Sequence, residues 1–416
     1  MQEQVITLAT PIFLVLIGME LIIGLLRRQN TYRLNDTINS ISLGMLSQIC
    51  GIFMQLLRIG IYAWLVQHIS LFQLSADHIW VWLSGLLLYD FCYYWLHRYG
   101  HQVNILWAAH VVHHQSEDYN LSTALRQTSS GPLLSWIFYV PLAILGYPVE
   151  VFTALALIDL LYQFWVHTQH IGKLGWLDRV FVTPSNHRAH HGVNDIYLDK
   201  NYGGILILWD RLFGTFIEEH DEEPVIYGTR SPLRSWNPIW ANFQVYKMLW
   251  QDSWRTQKCK DKLRIWIAAP GWRPADVTQK WPSAPFDIAR TLYHPSLHRL
   301  SQIYCLLQFI ILLLITAHFL AAQINMSGLQ QGAYAGWLIC GLWILGGLME
   351  RPAHYMRWET MRLIGTGSGV LLGKTWFGTV SLTPFIQGGI MALTLLSLMV
   401  LWTIYKHGSY GHLSHQ

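Results

Sequence analysis

Charge is scarce in this chain. Only 12% of its 416 residues are Asp, Glu, Lys or Arg, about half the share of an average soluble domain, while 52% are hydrophobic. The length alone would allow two or three soluble domains. So little charge, together with 21 Trp and 20 Tyr suited to bilayer interfaces, points instead to a membrane protein. The net charge is only +4, and no Lys/Arg stripe with interleaved aromatics is present, so no nucleic-acid partner is expected. The small basic excess suits anionic lipid headgroups. Cysteine is scarce too: Cys50, Cys92, Cys259, Cys305 and Cys340 form no CxxC pair, which argues against a disulfide framework or a zinc knuckle and leaves them as packing residues. Repeats at solenoid periods and low-complexity tracts are lacking. The first apolar run lacks a basic region before it and is expected to stay as a membrane helix.

Apolar runs are plentiful. A spanning helix needs about 20 mostly apolar residues. Val5 to Leu26, Ile41 to Ile69 and Trp80 to Leu96 meet or approach this, as do Ile303 to Ala321, Tyr334 to Leu348 and Ile386 to Ile404. Leu133 to Leu145 and Val151 to Val166, separated by Gly146-Tyr147-Pro148, read as a short helical hairpin. Tyr202 to Phe216 reads as an interfacial helix or a buried one, and the charged stretch Met349 to Lys374 as a loop or surface helix. Arg27, Arg28 and Arg33 come after the first run, and most basic residues lie between Ile171 and Leu300. By the positive-inside rule the N-terminus is outside and Arg98 onward faces the cytoplasm. The expected fold class is therefore all-α: a multi-span membrane helical bundle with a histidine-rich di-metal site on its cytoplasmic face. Residues 1–40 form an N-terminal membrane helix and connector, 41–300 a catalytic domain of membrane helices and a cytoplasmic cap, and 301–416 C-terminal membrane helices to which the sequence gives no role.

Histidine is abundant. Ten of the 20 histidines lie between His97 and His191. His97 and His101 form HxxxH, His110, His113 and His114 form HxxHH, His167 and His170 form HxxH, and His187, His190 and His191 form a second HxxHH. Residues three and four apart share a helix face, so each motif aims imidazoles at one place. A lone HxxxH is more often a chance pair, and His170 by itself is more often a core histidine, but as part of HxxH it is counted with the other nine as a candidate metal ligand. The set at the ends of apolar spans is far more specific. Imidazole suits iron, zinc, copper or nickel, and eight or more convergent rings exceed what one ion can hold, so two metal ions are expected. Without cysteine or an HExxH glutamate nearby, zinc is disfavoured, and two iron ions that activate dioxygen fit better. Asp90 and Asp159 recur at helical spacing ahead of His97 and His167. Such intramembrane acids are functional candidates, here as hydrogen-bond partners of the ligand rings, although a plain interhelical contact is an equal alternative. His68, His78, His220, His294, His298, His318, His354, His407, His412 and His415 are isolated and read as ordinary polar residues.

These motifs resemble the fatty acid hydroxylase/sterol desaturase superfamily. Trp107 to Gln127, Tyr162 to Thr168, and Thr183 to Gly192 running on to Gly204 most resemble the alkylglycerol monooxygenases, a likeness covering roughly Leu43 to Trp272. The resemblance implies a membrane di-iron enzyme that uses dioxygen and tetrahydrobiopterin, or another external reductant, to hydroxylate the ether-bearing carbon of an alkylglycerol and release a fatty aldehyde. By motif position it carries His97, His101, His110, His113, His114, His187, His190 and His191 over as metal ligands, with His167 as an additional one. It leaves the electron donor and the pterin-binding residues open. Two other readings stay open: hydroxylation or desaturation of another lipid, fatty acyl or sterol-like, and a non-catalytic membrane metal-binding or transport protein. The last predicts ligands at the bilayer midplane, whereas these clusters lie at the ends of spans. An apolar route for the substrate is expected between Trp80–Leu96, Leu133–Leu145 and Val151–Val166.

Overall fold

The computed structural model describes residues 2–350 and 352–406. The order is α1 (Gln2–Leu26), α2 (Leu34–Gln55), α3 (Ile61–Ile69), α4 (Ile79–Gln102), α5 (Asn104–His114), α6 (Leu121–Ala124), α7 (Pro132–Ser135), α8 (Val140–Ile144), α9 (Val149–Trp165), α10 (Pro184–His190), α11 (Leu208–Phe213), α12 (Pro238–Arg255), α13 (Cys259–Ile267), α14 (Ala275–Lys280), α15 (Arg299–Ala322), α16 (Gly328–Leu348), α17 (Pro352–Leu372) and α18 (Pro384–Lys406). Proline opens α10, α12 and α18, where its missing N–H and fixed φ suit the first turn. The described strands are β1 (Thr375–Trp376) and β2 (Val380–Ser381), an antiparallel hairpin turned at Phe377 and Gly378, both with positive φ. Six helices among the described residues are long and apolar enough to cross a membrane, lying within α1, α2, α4, α15, α16 and α18. The all-α multi-span architecture is as expected.

Four boundaries differ from expectation. The run from Ile41 to Ile69 is not one helix: α2 starts at Leu34, passes into a π-helical turn at Leu56–Gly60, and α3 comes next. Composition cannot register a local change of hydrogen-bond register. Leu133 to Leu145 is broken by a 3-10 turn at Trp136–Tyr139, and the chain reverses at Gly146, whose φ of +82° brings it against the Phe72 carbonyl, where any Cβ would collide. Tyr202 to Phe216 holds only the six-residue α11, which stops at Gly214 in the left-handed conformation. Met349 to Lys374 is not a loop: it holds α17, a 21-residue helix with one exposed face and, on its other face, a buried Glu359–Arg362 pair at 2.7 Å. Pairing of charges is invisible to a residue count. Arg351 lies outside the described residues.

Two compact units make up the chain. The first contains Met1–Arg33, Cys50–Leu233 and Ala241–Leu292. There α3, α4, α8 and α9 close on an aromatic cluster with Tyr62 stacked on Phe152 at 3.9 Å and Tyr89 on Tyr139 at 4.7 Å. Where a lipid route was expected between these helices, the described side chains form this packed cluster. The second unit contains Leu34–Ile49, Arg234–Trp240 and Tyr293–Gln416, with α15 to α18 as its body. Glu359 accepts the Tyr304 hydroxyl at 2.7 Å and two Arg362 N–H bonds, and Arg362 also donates to Gln308, which donates to Ser397.

Candidate metal centre

The first unit gathers nine imidazoles into two adjoining groups. His97, His101, His110, His114 and His190 form one. His113, His167, His187 and His191 form the other. Within each group the facing nitrogens lie within 4.8 Å of one another. The split comes from helical geometry. At about 100° per residue, positions i and i+4 nearly eclipse, whereas i+3 points to the other side of the stripe. His97 and His101 on α4 therefore share the first group. On α5 His110 and His114 join it while His113 turns to the second. On α10, His187 and the capping residue His191 join the second group while His190 turns back to the first. Each HxxHH thus serves both groups. His114 and His191 stack across the boundary at 4.3 Å.

Backbone carbonyls set the rings. His97 Nδ1 faces the Tyr202 carbonyl at 2.8 Å, His190 Nδ1 that of Lys200 at 2.9 Å, His113 Nδ1 that of Arg126 at 3.0 Å, and His167 Nδ1 that of Gln163 at 2.7 Å. A carbonyl can only accept, so each Nδ1 carries the proton and each Nε2 of a neutral ring is a bare lone pair. Yet His113 Nε2 and His167 Nε2 stand 3.1 Å apart, two lone pairs face to face in a buried site. His97 Nε2 and His101 Nε2 are buried with no hydrogen-bond partner. Protonation does not relieve this. Burial, then neighbouring imidazoles, holds His167 and His187 far below the usual histidine range, and burial lowers His113 to about 4. An all-imidazole donor set of this kind fits transition-metal cations.

The acids predicted as ring partners do not touch the rings. Asp90 accepts the N–H groups of Ile205 and Leu206 at 2.7 and 3.0 Å and the Trp209 indole at 2.9 Å. Asp159 accepts the Gln163 side-chain amide at 2.7 Å. Both act at one remove: Asp90 holds the loop that presents the Tyr202 carbonyl, and Asp159 holds the residue whose carbonyl sets His167. The carbonyls fill the place the carboxylates were expected to take. Gly204 lets the loop pass, since a Cβ there would lie 2.6 Å from Asp159 Oδ1. Asp210, not singled out from sequence, grips the same loop through Tyr202 N and Gly203 N, both at 2.7 Å, and burial pushes its carboxyl up to about 6. Its one sequence signal is an acid inside the apolar run Ile205 to Phe213. His170 lies apart from both groups. Because α9 ends at Trp165, the helical spacing that would align it with His167 is lost, and its ring packs near Gly24 of α1. Of the isolated histidines, His407, His412 and His415 fall outside the described residues, and the others join neither group.

The family model described as Fatty acid hydroxylase matches residues 82–215, the stretch holding all nine rings. The chain is 39% identical to alkylglycerol monooxygenase of Danio rerio over 86% of this chain and 80% of that one, and 37% identical to the Homo sapiens protein of the same name with the same coverage. An ornithine lipid hydroxylase of Rhizobium tropici is 31% identical over 32% of this chain and 40% of its own length. The likeness therefore reaches well beyond Leu43 to Trp272. No solved structure matches significantly.

Proposed function

We propose, because the chain belongs to the alkylglycerol monooxygenase family, that this lipid monooxygenase holds two iron ions in its two histidine groups and uses dioxygen to cleave the ether bond of an alkylglycerol. The carrying observation is the pair of adjoining imidazole groups whose unprotonated nitrogens face one another. Two iron ions in these groups would supply dioxygen activation and the oxidant for a C–H bond. One oxygen atom enters the ether-bearing carbon. The other leaves as water with two protons and two electrons from an external reductant, tetrahydrobiopterin being the candidate. The resulting hemiacetal then falls apart to a fatty aldehyde and a glycerol derivative.

The chain's own part is to orient and to exclude water. The Tyr202, Lys200, Arg126 and Gln163 carbonyls fix four rings in the tautomer that leaves Nε2 free to bind metal. The proposed ligands are His97, His101, His110, His113, His114, His167, His187, His190 and His191. His170 is not carried into this set. All nine sit in residues 41–300, which we assign as the catalytic domain. We place the site at the cytoplasmic face, because α4 delivers His97 and His101 in its last turns and most of the basic residues lie between Ile171 and Leu300, on the side the positive-inside rule makes cytoplasmic. The test is a preparation in lipid assayed for metal content and for aldehyde release from an alkylglycerol, with and without reduced pterin, in air and under nitrogen. Two irons per chain and oxygen-dependent aldehyde are expected. A hydroxylated lipid without aldehyde would move the substrate to another lipid class, and full activity in metal-free protein would end the proposal.

A further inference from the structure

Helix α12 has two unlike faces. From Ala241 onward its inner face, Val245 and Leu249, packs with Ile265 of α13 on Ala108 and Val111 of α5, the helix that carries three of the histidines. Its outer face presents Phe243, Trp250 and Trp254, spaced at seven and four residues and 59, 62 and 75% exposed. Helix α13 continues the pattern with Leu263 and Ile267, 76 and 70% exposed. Large side chains this exposed, in helices that also have a buried apolar face, need a partner.

Charge identifies the partner. Between Ala241 and Trp281 stand eight Lys and Arg against three Asp. Asp252 is bound by Arg273, and Asp276 accepts from Thr256 and the Gln257 N–H. Asp261 is half-buried, and the exposed charge at Lys258, Lys260 and Arg264 is basic. Position agrees. Asn104, two residues past the end of α4, donates its backbone N–H to the Ala268 carbonyl at 2.9 Å and its side chain to Ile265 O at 2.8 Å. α4 is a candidate span of 24 residues, about 36 Å long and slightly more than the hydrocarbon core. The last turn of α13 is thereby pinned to the level at which that span leaves the bilayer.

We infer that α12 and α13 lie in the headgroup layer of an anionic bilayer, with Phe243, Trp250, Trp254, Leu263 and Ile267 inserted among the acyl chains and Lys258, Lys260 and Arg264 on the lipid phosphates. Aromatic residues on one face and basic residues beside them are the pattern of a helix lying in a membrane interface. On this reading α12 and α13 are an interfacial element of the chain. The inner face of α12 then sets the ligand helix α5 directly against a membrane-bound support.

The test uses the full chain in lipid nanodiscs, with photoreactive p-benzoylphenylalanine placed singly at Phe243, Trp254 or Leu263, and at exposed Glu222 as control. Illumination should give lipid adducts at the first three positions and none at Glu222. With Lys258→Glu, Lys260→Glu and Arg264→Glu combined, adducts in anionic discs should fall by about fivefold or more, since each basic residue near such a surface contributes about that factor, while neutral discs show little change. Absence of lipid adducts at all three positions, adducts insensitive to the charge reversal, or crosslinks to a second copy of the chain in their place would overturn the inference.

Discussion

The histidine groups and the C-terminal helices both bury polar side chains, and they do so in opposite ways. In the second unit every partner of the Glu359–Arg362 pair is supplied: Tyr304, Gln308 and, through Gln308, Ser397 complete it. In the first unit four rings spend their one N–H on a carbonyl and turn bare nitrogens into the two imidazole groups. A satisfied buried network holds helices in register. An unsatisfied one of lone-pair donors could hold a cation, and buried polar groups without partners are costly.

The largest effect is expected where the unsatisfied set is broken. His187 faces both His167 and His191, at 3.1 and 3.2 Å. His187→Ala should lower aldehyde release by about 100-fold or more, beyond the 10–100-fold typical of losing an outer partner, with iron per chain falling in parallel by elemental analysis. Next comes the satisfied set. Glu359→Ala strands a buried guanidinium and should cost about 3–5 kcal/mol of stability, read as a lower Tm in detergent. Glu359→Leu with Arg362→Met should recover most of it. If the single change instead abolished activity while leaving Tm intact, the contrast between the two regions would fail.

Asp90→Asn tests the remote brace. It keeps the shape but weakens the grip on the Tyr202 loop, so metal affinity of the His97 group should drop by about 10–100-fold, measured by competition with a chelator, while the His113 group keeps its ion. The smallest effect is on pH. Burial lowers His113 from 6.5 to about 4, so an unfolded chain takes up this proton near 6.5 and the folded one only near 4. Below 6.5 the unfolded state binds more protons, and stability, complete above 6.5, is lost as pH falls towards 4. Thermal unfolding of metal-stripped protein across this window should show the decline, and metal-loaded protein should resist it further into acid.

The grouping of the imidazoles was legible in the sequence because i, i+4 spacing survives as geometry wherever a helix survives. His97/His101, His110/His114 and His187/His191 each kept their pairing. His170 misled because α9 ends before it. The acceptors that set the rings could not be read, since the carbonyls of Tyr202, Lys200, Arg126 and Gln163 carry no side-chain signature. Six spans were legible as apolar runs. The π-turn after α2 was not, because it changes hydrogen-bond register without changing composition. The buried face of α17 was not legible, because the neutralising partner of Glu359 lies on its own next turn and is visible only once the helix is packed.

The nine rings come from α4, α5, α10 and the segment after α9, and the loop that sets His97 and His190 is itself fastened by Asn201, which bonds both Asn186 and Ile217. A growing chain therefore emerges with its early histidines unpaired, and the loop that sets the His97 group is not fastened until Ile217 has been made. On the proposed reading, loading of that group follows the synthesis of the spans that precede it, and a chain stalled before that point would expose a cluster of unguarded imidazoles to whatever metal is nearest.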